Sequence, residues 1–400
     1  MNEFREHPGF SVPDVLKEND CPTHWSRDIA LKWSGQIPEG VLEKRLETPI
    51  KIIDLWADGF GEVKVKDESR QDINPTGTIK DRMALACAED CANYARFLLD
   101  QLKYGRMSAQ ELDKKPIYRY SILTAGNAGT ALAEAFDRFD LLPPKLLLDS
   151  HLTTKARNFF KTIRADVYLA DLSTNPFSGK PSISDPLTPS QILKLTNNYT
   201  LGGVEITSSG TINTASAVWV RAPWRKFYRN LAKDIFAKKP NEVYVPYGSG
   251  VLFDNVVDYQ YQRIAELRAG KHSKARNREL TTLSKVKIFG AEPESLNTIA
   301  DKLSAPAKPF KHYTPKGLEE LKGWQMTPVE TGVYKVSEDS ILAAYELLKA
   351  RGAALGIQTE PSAAAGLALY IQRWKENMRD SEQNVIIVNT GHGLFTKNTL

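Results

Sequence analysis

Asn74-Pro75-Thr76-Gly77-Thr78-Ile79-Lys80-Asp81-Arg82 is the stretch that decides the fold. It sets a turn directly before a long helical pattern. Pro75 fixes φ, Gly77 admits positive φ, and Asn74 adds turn chemistry. Thr78 is the candidate N-cap, which puts Lys80 in the first turn of a helix predicted over 80–103. A cation at that end works against the helix dipole, so Lys80 is a candidate for a task other than helix stability. A lysine in isolation reads as a solvated surface residue. Two further segments change that reading.

The first is Thr124-Ala125-Gly126-Asn127-Ala128-Gly129. It follows a strand predicted over 117–124 and precedes an Ala-rich helix predicted over 128–139. Strand, small-residue turn and helix make an anion site from the N–H groups at the helix start. The second is Val243-Tyr244-Val245-Pro246-Tyr247-Gly248-Ser249-Gly250, followed by a helical pattern over 251–268. It suits a phosphate held by backbone N–H groups. No Gly-Lys-Ser/Thr follows, so it is not a P-loop, and neither glycine turn has the acidic residue of a dinucleotide fingerprint.

Together the three segments resemble the fold type II pyridoxal-phosphate enzymes, the tryptophan-synthase-β-like superfamily. Further matches come in family order: Arg45-Leu46-Glu47-Thr48-Pro49-Ile50, Lys64-Val65-Lys66-Asp67-Glu68-Ser69, Gly290-Ala291-Glu292-Pro293, Glu360-Pro361-Ser362-Ala363 and Asn389-Thr390-Gly391-His392-Gly393-Leu394. The resemblance implies an α/β fold of two three-layer domains with mainly parallel sheets and the cofactor, pyridoxal 5'-phosphate, in the cleft between them. It implies that Lys80 forms the Schiff base and then removes the substrate's Cα proton. By the same resemblance Asn127 bonds the phenolic oxygen, and Gly248, Ser249 and Gly250 hold the phosphate. The resemblance also places Thr390 opposite the pyridine nitrogen. Thr124, Ala125, Gly126, Asn127 and Ala128 receive the substrate carboxylate. A hydroxyl at Thr390 cannot keep the ring nitrogen protonated as a carboxylate would, which favours expulsion of a β or γ leaving group.

The ending at 389–394 leans to threonine synthases, which convert O-phosphohomoserine to threonine and phosphate. Thr78 to Ala84 leans to cysteine synthases. The expected activity is therefore threonine-synthase-like. A cysteine-synthase-like or serine/threonine-dehydratase-like enzyme is the alternative, and a non-catalytic homologue serving as a binding or regulatory scaffold is the second.

The chain has 400 residues, 42% of them hydrophobic, enough for two cores. The expected organisation is an arm over 1–40, a large cofactor-binding domain from 41–85 and 213–400, and a small domain over 86–212. A net charge of +5 makes no case for nucleic acid. The basic cluster Lys271, His272, Lys274, Arg276 and Arg278 reads as a solvated loop. No apolar run approaches the roughly 20 residues of a membrane span. Three cysteines, Cys21, Cys87 and Cys91, suggest no disulfide framework, and Cys87 and Cys91 read as buried packing. The six histidines show no metal spacing. The expectation is a cytoplasmic enzyme with a small amino-acid substrate, no nucleic-acid or membrane partner and no metal; family analogy adds a homodimer.

Overall fold

The computed structural model describes residues 14–41, 44–45, 47–117, 119–124, 126–182, 184–185, 187, 191, 228–270, 273–295, 297–303, 314–376 and 384–393. In chain order its strands are β1 (Asp14–Lys17), β2 (Ile50–Asp54), β3 (Glu62–Asp67), β4 (Ser121–Leu123), β5 (Lys145–Asp149), β6 (Asp166–Ala170), β7 (Glu242–Pro246), β8 (Lys287–Pro293), β9 (Gly332–Val336) and β10 (Val385–Asn389). Its helices are α1 (Arg27–Gln36), α2 (Lys80–Lys103), α3 (Ala109–Asp113), α4 (Asn127–Arg138), α5 (Thr154–Thr162), α6 (Arg229–Ala237), α7 (Val251–Ala269), α8 (Lys274–Leu283), α9 (Thr314–Gly323), α10 (Glu338–Gly352) and α11 (Pro361–Lys375). The chain divides into two compact units, Met1–Arg45 with Lys80–Trp224 and Leu46–Ile79 with Arg225–Leu400. The limits expected from the sequence stand at 40/41, 85/86 and 212/213.

The first unit holds a sheet of order β1-β6-β5-β4, with β4, β5 and β6 parallel and β1 antiparallel at the edge. Leu146 to Leu148 and Val167 to Ala170 are buried without alternation, as parallel strands covered on both faces require. Ala84, Ala88, Ala92 and Ala95 give α2 a buried small-residue stripe. The stretch expected as an arm contributes both β1 and α1. Trp33 of α1 meets Trp25 edge-on at 4.9 Å, and Trp25 meets Tyr94 of α2 at 5.7 Å. Lys17 Nζ donates to Ile163 O (2.6 Å), and Asn19 donates to Asp166, tying this segment to β6. The strand predicted over 117–124 is shorter in the structure. Pro116 bridges to His24 and the Ile117 N–H donates to Thr23 O, so its first residues pair with the N-terminal segment. Cys87 is buried and shares a hydrogen bond with Tyr120; burial pushes its thiol up.

The second unit holds a sheet of order β2-β3-β10-β7-β8-β9, parallel except for β2. Helix α11 lies against it with its face from Pro361 to Ile371 buried. Gly366 makes this approach possible, since a Cβ there would stand 3.1 Å from Tyr244 O. Burial of each large apolar side chain in this core contributes about 1.5–3 kcal/mol. A salt bridge, Lys66 to Asp234 at 2.8 Å, is enclosed in the unit.

Several elements had no legible period. The basic cluster is not a loop over its described part: Lys274, Arg276 and Arg278 lie in α8. The Ser273 hydroxyl caps that helix, accepting from Arg276 N, and Arg263 of α7 pairs with Glu279 at 2.7 Å. Only Leu283 of α8 is buried, so no apolar stripe announces it. β9, α1, α3 and α9 were likewise not anticipated. Residues 201–224, 271–272 and 304–313 lie outside the described residues. So do Arg225 and Lys226, where the sequence pattern predicts a helix over 225–237 and the described helix α6 begins at Arg229. Among the described residues no helix is long and apolar enough to cross a membrane.

Candidate active site

In the second unit β3, β10 and β7 are adjacent and parallel, so their carboxyl ends share one sheet edge. Open α/β sheets bind ligands at such edges. β3 ends at Asp67 beside Asn389, the last residue of β10. The two chains then part, one through 69–79 and the other through 390–393, and meet again. Glu68 N–H donates to Asn389 O (3.0 Å), Ile79 N–H to Thr390 O (2.9 Å) and His392 N–H to Gly77 O (3.1 Å). Thr78 and Gly391 form an isolated antiparallel bridge. Both glycines are demanded here. Gly77 has φ +70°, and a Cβ on it would stand 2.4 Å from His392 Nε2. Gly391 has φ +108°, and a Cβ on it would stand 2.1 Å from Gly77 O. Lys80, the residue after Ile79, is half-buried and opens α2, one residue later than a cap at Thr78 implies.

Two buried carboxylates root these loops. Glu68 accepts from Asn74 Nδ2 (3.1 Å) and from the Thr48 hydroxyl, and its carbonyl takes the same Asn74 amide at 2.7 Å. Asp67 Oδ1 accepts from Ser69 N (3.0 Å), Ser69 Oγ (2.6 Å) and Asn389 Nδ2 (3.1 Å), while Lys51 Nζ pairs with Oδ2 at 2.7 Å. The His392 imidazole, half-buried, is pushed down from its usual pKa by burial, with Asp67 opposing the shift. Its Nε2 is buried with no hydrogen-bond partner among the described residues.

On the next strand, β7 leads through Tyr247 into Gly248, Ser249 and Gly250, and α7 begins at Val251. Gly250 is left-handed at φ 92°. A Cβ on Gly248 would stand 3.2 Å from Lys302 O, so the backbone is tight there. Phe253 is buried against Tyr247 with ring centroids 5.7 Å apart, and Gly290 leaves room for both.

In the first unit, Thr124 follows β4. Its Oγ1 accepts from Gly126 N (3.0 Å) and Gly129 N (3.2 Å), and the Gly126 carbonyl receives Thr130 N–H. Gly126, at φ 133°, is the N-cap of α4, and Asn127 opens the helix. A Cβ on Gly129 would stand 2.8 Å from Thr124 Cγ2. The threonine hydroxyl thus holds two of the turn's own N–H groups. Ala125 lies outside the described residues.

The expected residues fall into two groups. Gly248, Ser249, Gly250 and Thr390 share the sheet edge of the second unit, with the loop that leads into Lys80. Thr124, Gly126, Asn127 and Ala128 share the β4–α4 turn of the first. Sequence reasoning missed Asp67, Glu68, Asn74, Asn389 and His392 as working parts of the edge. The one available signal was acidic residues in tandem at the end of a strand.

The pyridoxal-phosphate dependent enzyme family matches residues 44–391. The chain belongs to that family. A search of curated proteins found no match to the sequence. Among solved structures, the chain is similar to O-ureido-L-serine synthase, at 16% identity and TM-score 0.56 over 89% of this chain and 92% of that one. It is similar to a pyridoxal 5'-phosphate-dependent aspartate racemase, at 16% identity and TM-score 0.55 over 95% and 99%. It is also similar to the processed form of threonine deaminase isoform 2 from Solanum lycopersicum, at 17% identity and TM-score 0.52 over 96% and 90%. These likenesses show the fold, an α/β architecture with two mostly parallel sheets. The cofactor is pyridoxal 5'-phosphate, and the second unit fits it. A left-handed glycine loop at the start of the 19-residue helix α7 offers backbone N–H groups to a phosphate.

Proposed function

We propose that the protein is a pyridoxal-phosphate-dependent lyase acting on a small amino acid, with Lys80 as the lysine that holds the cofactor. The hydrogen bond from Ile79 N to Thr390 O carries this reading. It ties the loop leading into Lys80 to a residue with a hydroxyl, not a carboxylate, in the role expected beside the cofactor's ring nitrogen. Bound pyridoxal phosphate supplies the electron sink that weakens bonds at the substrate's α-carbon. Gly248, Ser249 and Gly250 would hold its phosphate, and Asn127 would bond its phenolic oxygen. The Thr124–Ala128 turn orients the substrate carboxylate. The Lys80 amine takes the α-proton and returns it. A hydroxyl donor at Thr390 leaves the ring nitrogen without a formal charge partner, which favours loss of a β or γ leaving group over transamination.

Within that class the preferred substrate is O-phosphohomoserine, with phosphate lost and water added to give threonine. β-Elimination or β-replacement on serine, threonine or O-acetylserine is the second reading, and the same residues would serve it. Threonine deaminase is among the structures of similar fold. The test is the visible spectrum of the purified protein with each substrate in turn, alongside Lys80→Ala. A band that shifts with O-phosphohomoserine and yields threonine supports the first reading. A shift with serine or O-acetylserine alone moves the assignment to the second. Bound cofactor that responds to no amino acid overturns the lyase reading.

A further inference from the structure

Asp67 ends β3 and Glu68 follows it, two consecutive carboxylates, both fully buried. Burying one carboxylate is costly unless its oxygens are well partnered, and burying two side by side is more so. Their partners divide cleanly. Successive side chains on a strand point to opposite faces. Glu68 takes Asn74, which begins the Asn-Pro-Thr-Gly turn before Lys80. Asp67 takes Asn389, the residue before Thr390. Each carboxylate therefore holds one asparagine, Asn389 at the root of its loop and Asn74 midway along the other. At their far ends the same loops are joined by Ile79 N–H to Thr390 O. The result is a closed ring, held from below by two acids and joined at the top by two backbone bonds, the second from His392 N–H to Gly77 O.

We propose that Asp67 and Glu68 are positioning residues that set the register of Lys80 against Thr390, so that both can serve one cofactor molecule. Neither acid touches the reacting atoms. Each acts through its asparagine. Asp67 has a second hold on the same edge. Its partner Ser69 accepts Gln358 N–H at 3.0 Å, and Asn389 donates to Gln358 O at 2.8 Å, so the approach to α11 is fixed to the same point. This rests on the assignment of Lys80 to the cofactor aldehyde.

The test compares Glu68→Gln, Asp67→Asn and Asn74→Ala with Asp234→Asn. The last alters a buried carboxylate contact to Lys66 of the same strand. Purified proteins are loaded with pyridoxal phosphate and reduced with borohydride, and the fraction modified at Lys80 is read by peptide mass. The pH midpoint of the visible cofactor band and the unfolding temperature of the cofactor-free protein are measured in parallel. The three loop variants should bind cofactor roughly tenfold more weakly or worse, and shift the band's pH midpoint, because a small misplacement of a reacting group is expensive. Asp234→Asn should lower the unfolding temperature and leave the midpoint where it was. Asn74→Ala attacks the contact from its other end, so it decides the matter if Glu68→Gln fails to fold. Wild-type trapping and midpoint in the loop variants would overturn the proposal. Trapping at another lysine in the wild-type protein would remove the Lys80 assignment itself, and this inference with it, before any variant is read.

Discussion

The Thr124–Gly129 turn and the paired loops beyond Asp67 and Asn389 both close the ends of parallel strands, but they are held by different means. The turn is self-contained. One threonine hydroxyl takes two N–H groups within five residues of itself. The paired loops depend on a partner 322 residues away, since Asn389 must arrive before Asp67 has anything to hold on that side. Local bonding makes the turn a property of its own short sequence. The loops exist only in the assembled sheet, and their precision belongs to the fold as a whole.

That difference can be broken at either end. Gly391→Ala should have the largest effect. It puts a side chain at positive φ and drives a Cβ into Gly77 O, so strain and overpacking together should cost on the order of 3 kcal/mol or more. Chemical denaturation of the cofactor-free protein should show it, and Thr390 should lose its place beside Ile79. Retention of wild-type stability and cofactor affinity would mean the loops are not tightly joined.

Thr124→Val should be smaller and local. It leaves two N–H groups of the turn unpartnered at about 1–3 kcal/mol, whereas Thr124→Ser keeps the acceptor. Amide exchange at Gly126 and Gly129 should quicken in the valine variant and not in the serine variant. Equal quickening across the whole first unit would contradict a self-contained turn.

The smallest effect is the pH response of His392. Its folded-state pKa lies below the usual 6.5, so the unfolded chain binds more protons in acid. The stability it contributes is present above that value and is lost as pH falls through the lower folded one. Unfolding temperatures at about pH 7.5 and about pH 5 should therefore diverge more in the wild type than in His392→Gln. An unchanged pH difference would show that the imidazole is not enclosed against Gly77.

Much of this was legible in the chain. Helix α2 was predicted over 80–103 and is found there, because its alanine stripe and the preceding turn are local signals. The three glycine-bearing loops were readable for the same reason. The exceptions are instructive. α8 is almost wholly polar on every face, so periodicity could not reveal it, and it stands on a serine cap and an ion pair to α7. The strand before Thr124 lost its first residues to Thr23 and His24, a competition between segments far apart in sequence. Asp67 and Glu68 looked like charged strand-end residues. Their roles appear only when Asn389 and Asn74 are brought beside them.

An aldehyde condenses with any accessible unprotonated amine, and the stretch of chain leading to Lys80 is rich in competitors. Lys51, Lys64 and Lys66 lie on the two strands that precede it. None is left at liberty. Lys51 Nζ is held by Asp67 and Leu355 O, Lys64 Nζ by Asn384, and Lys66 Nζ by Thr48 O and Asp234. Side chains held in this way are not free to reach an aldehyde, and Lys66 is fully buried. If Lys80 takes the aldehyde as proposed, the bonds that brace the sheet edge also restrain the amines on the two strands before it.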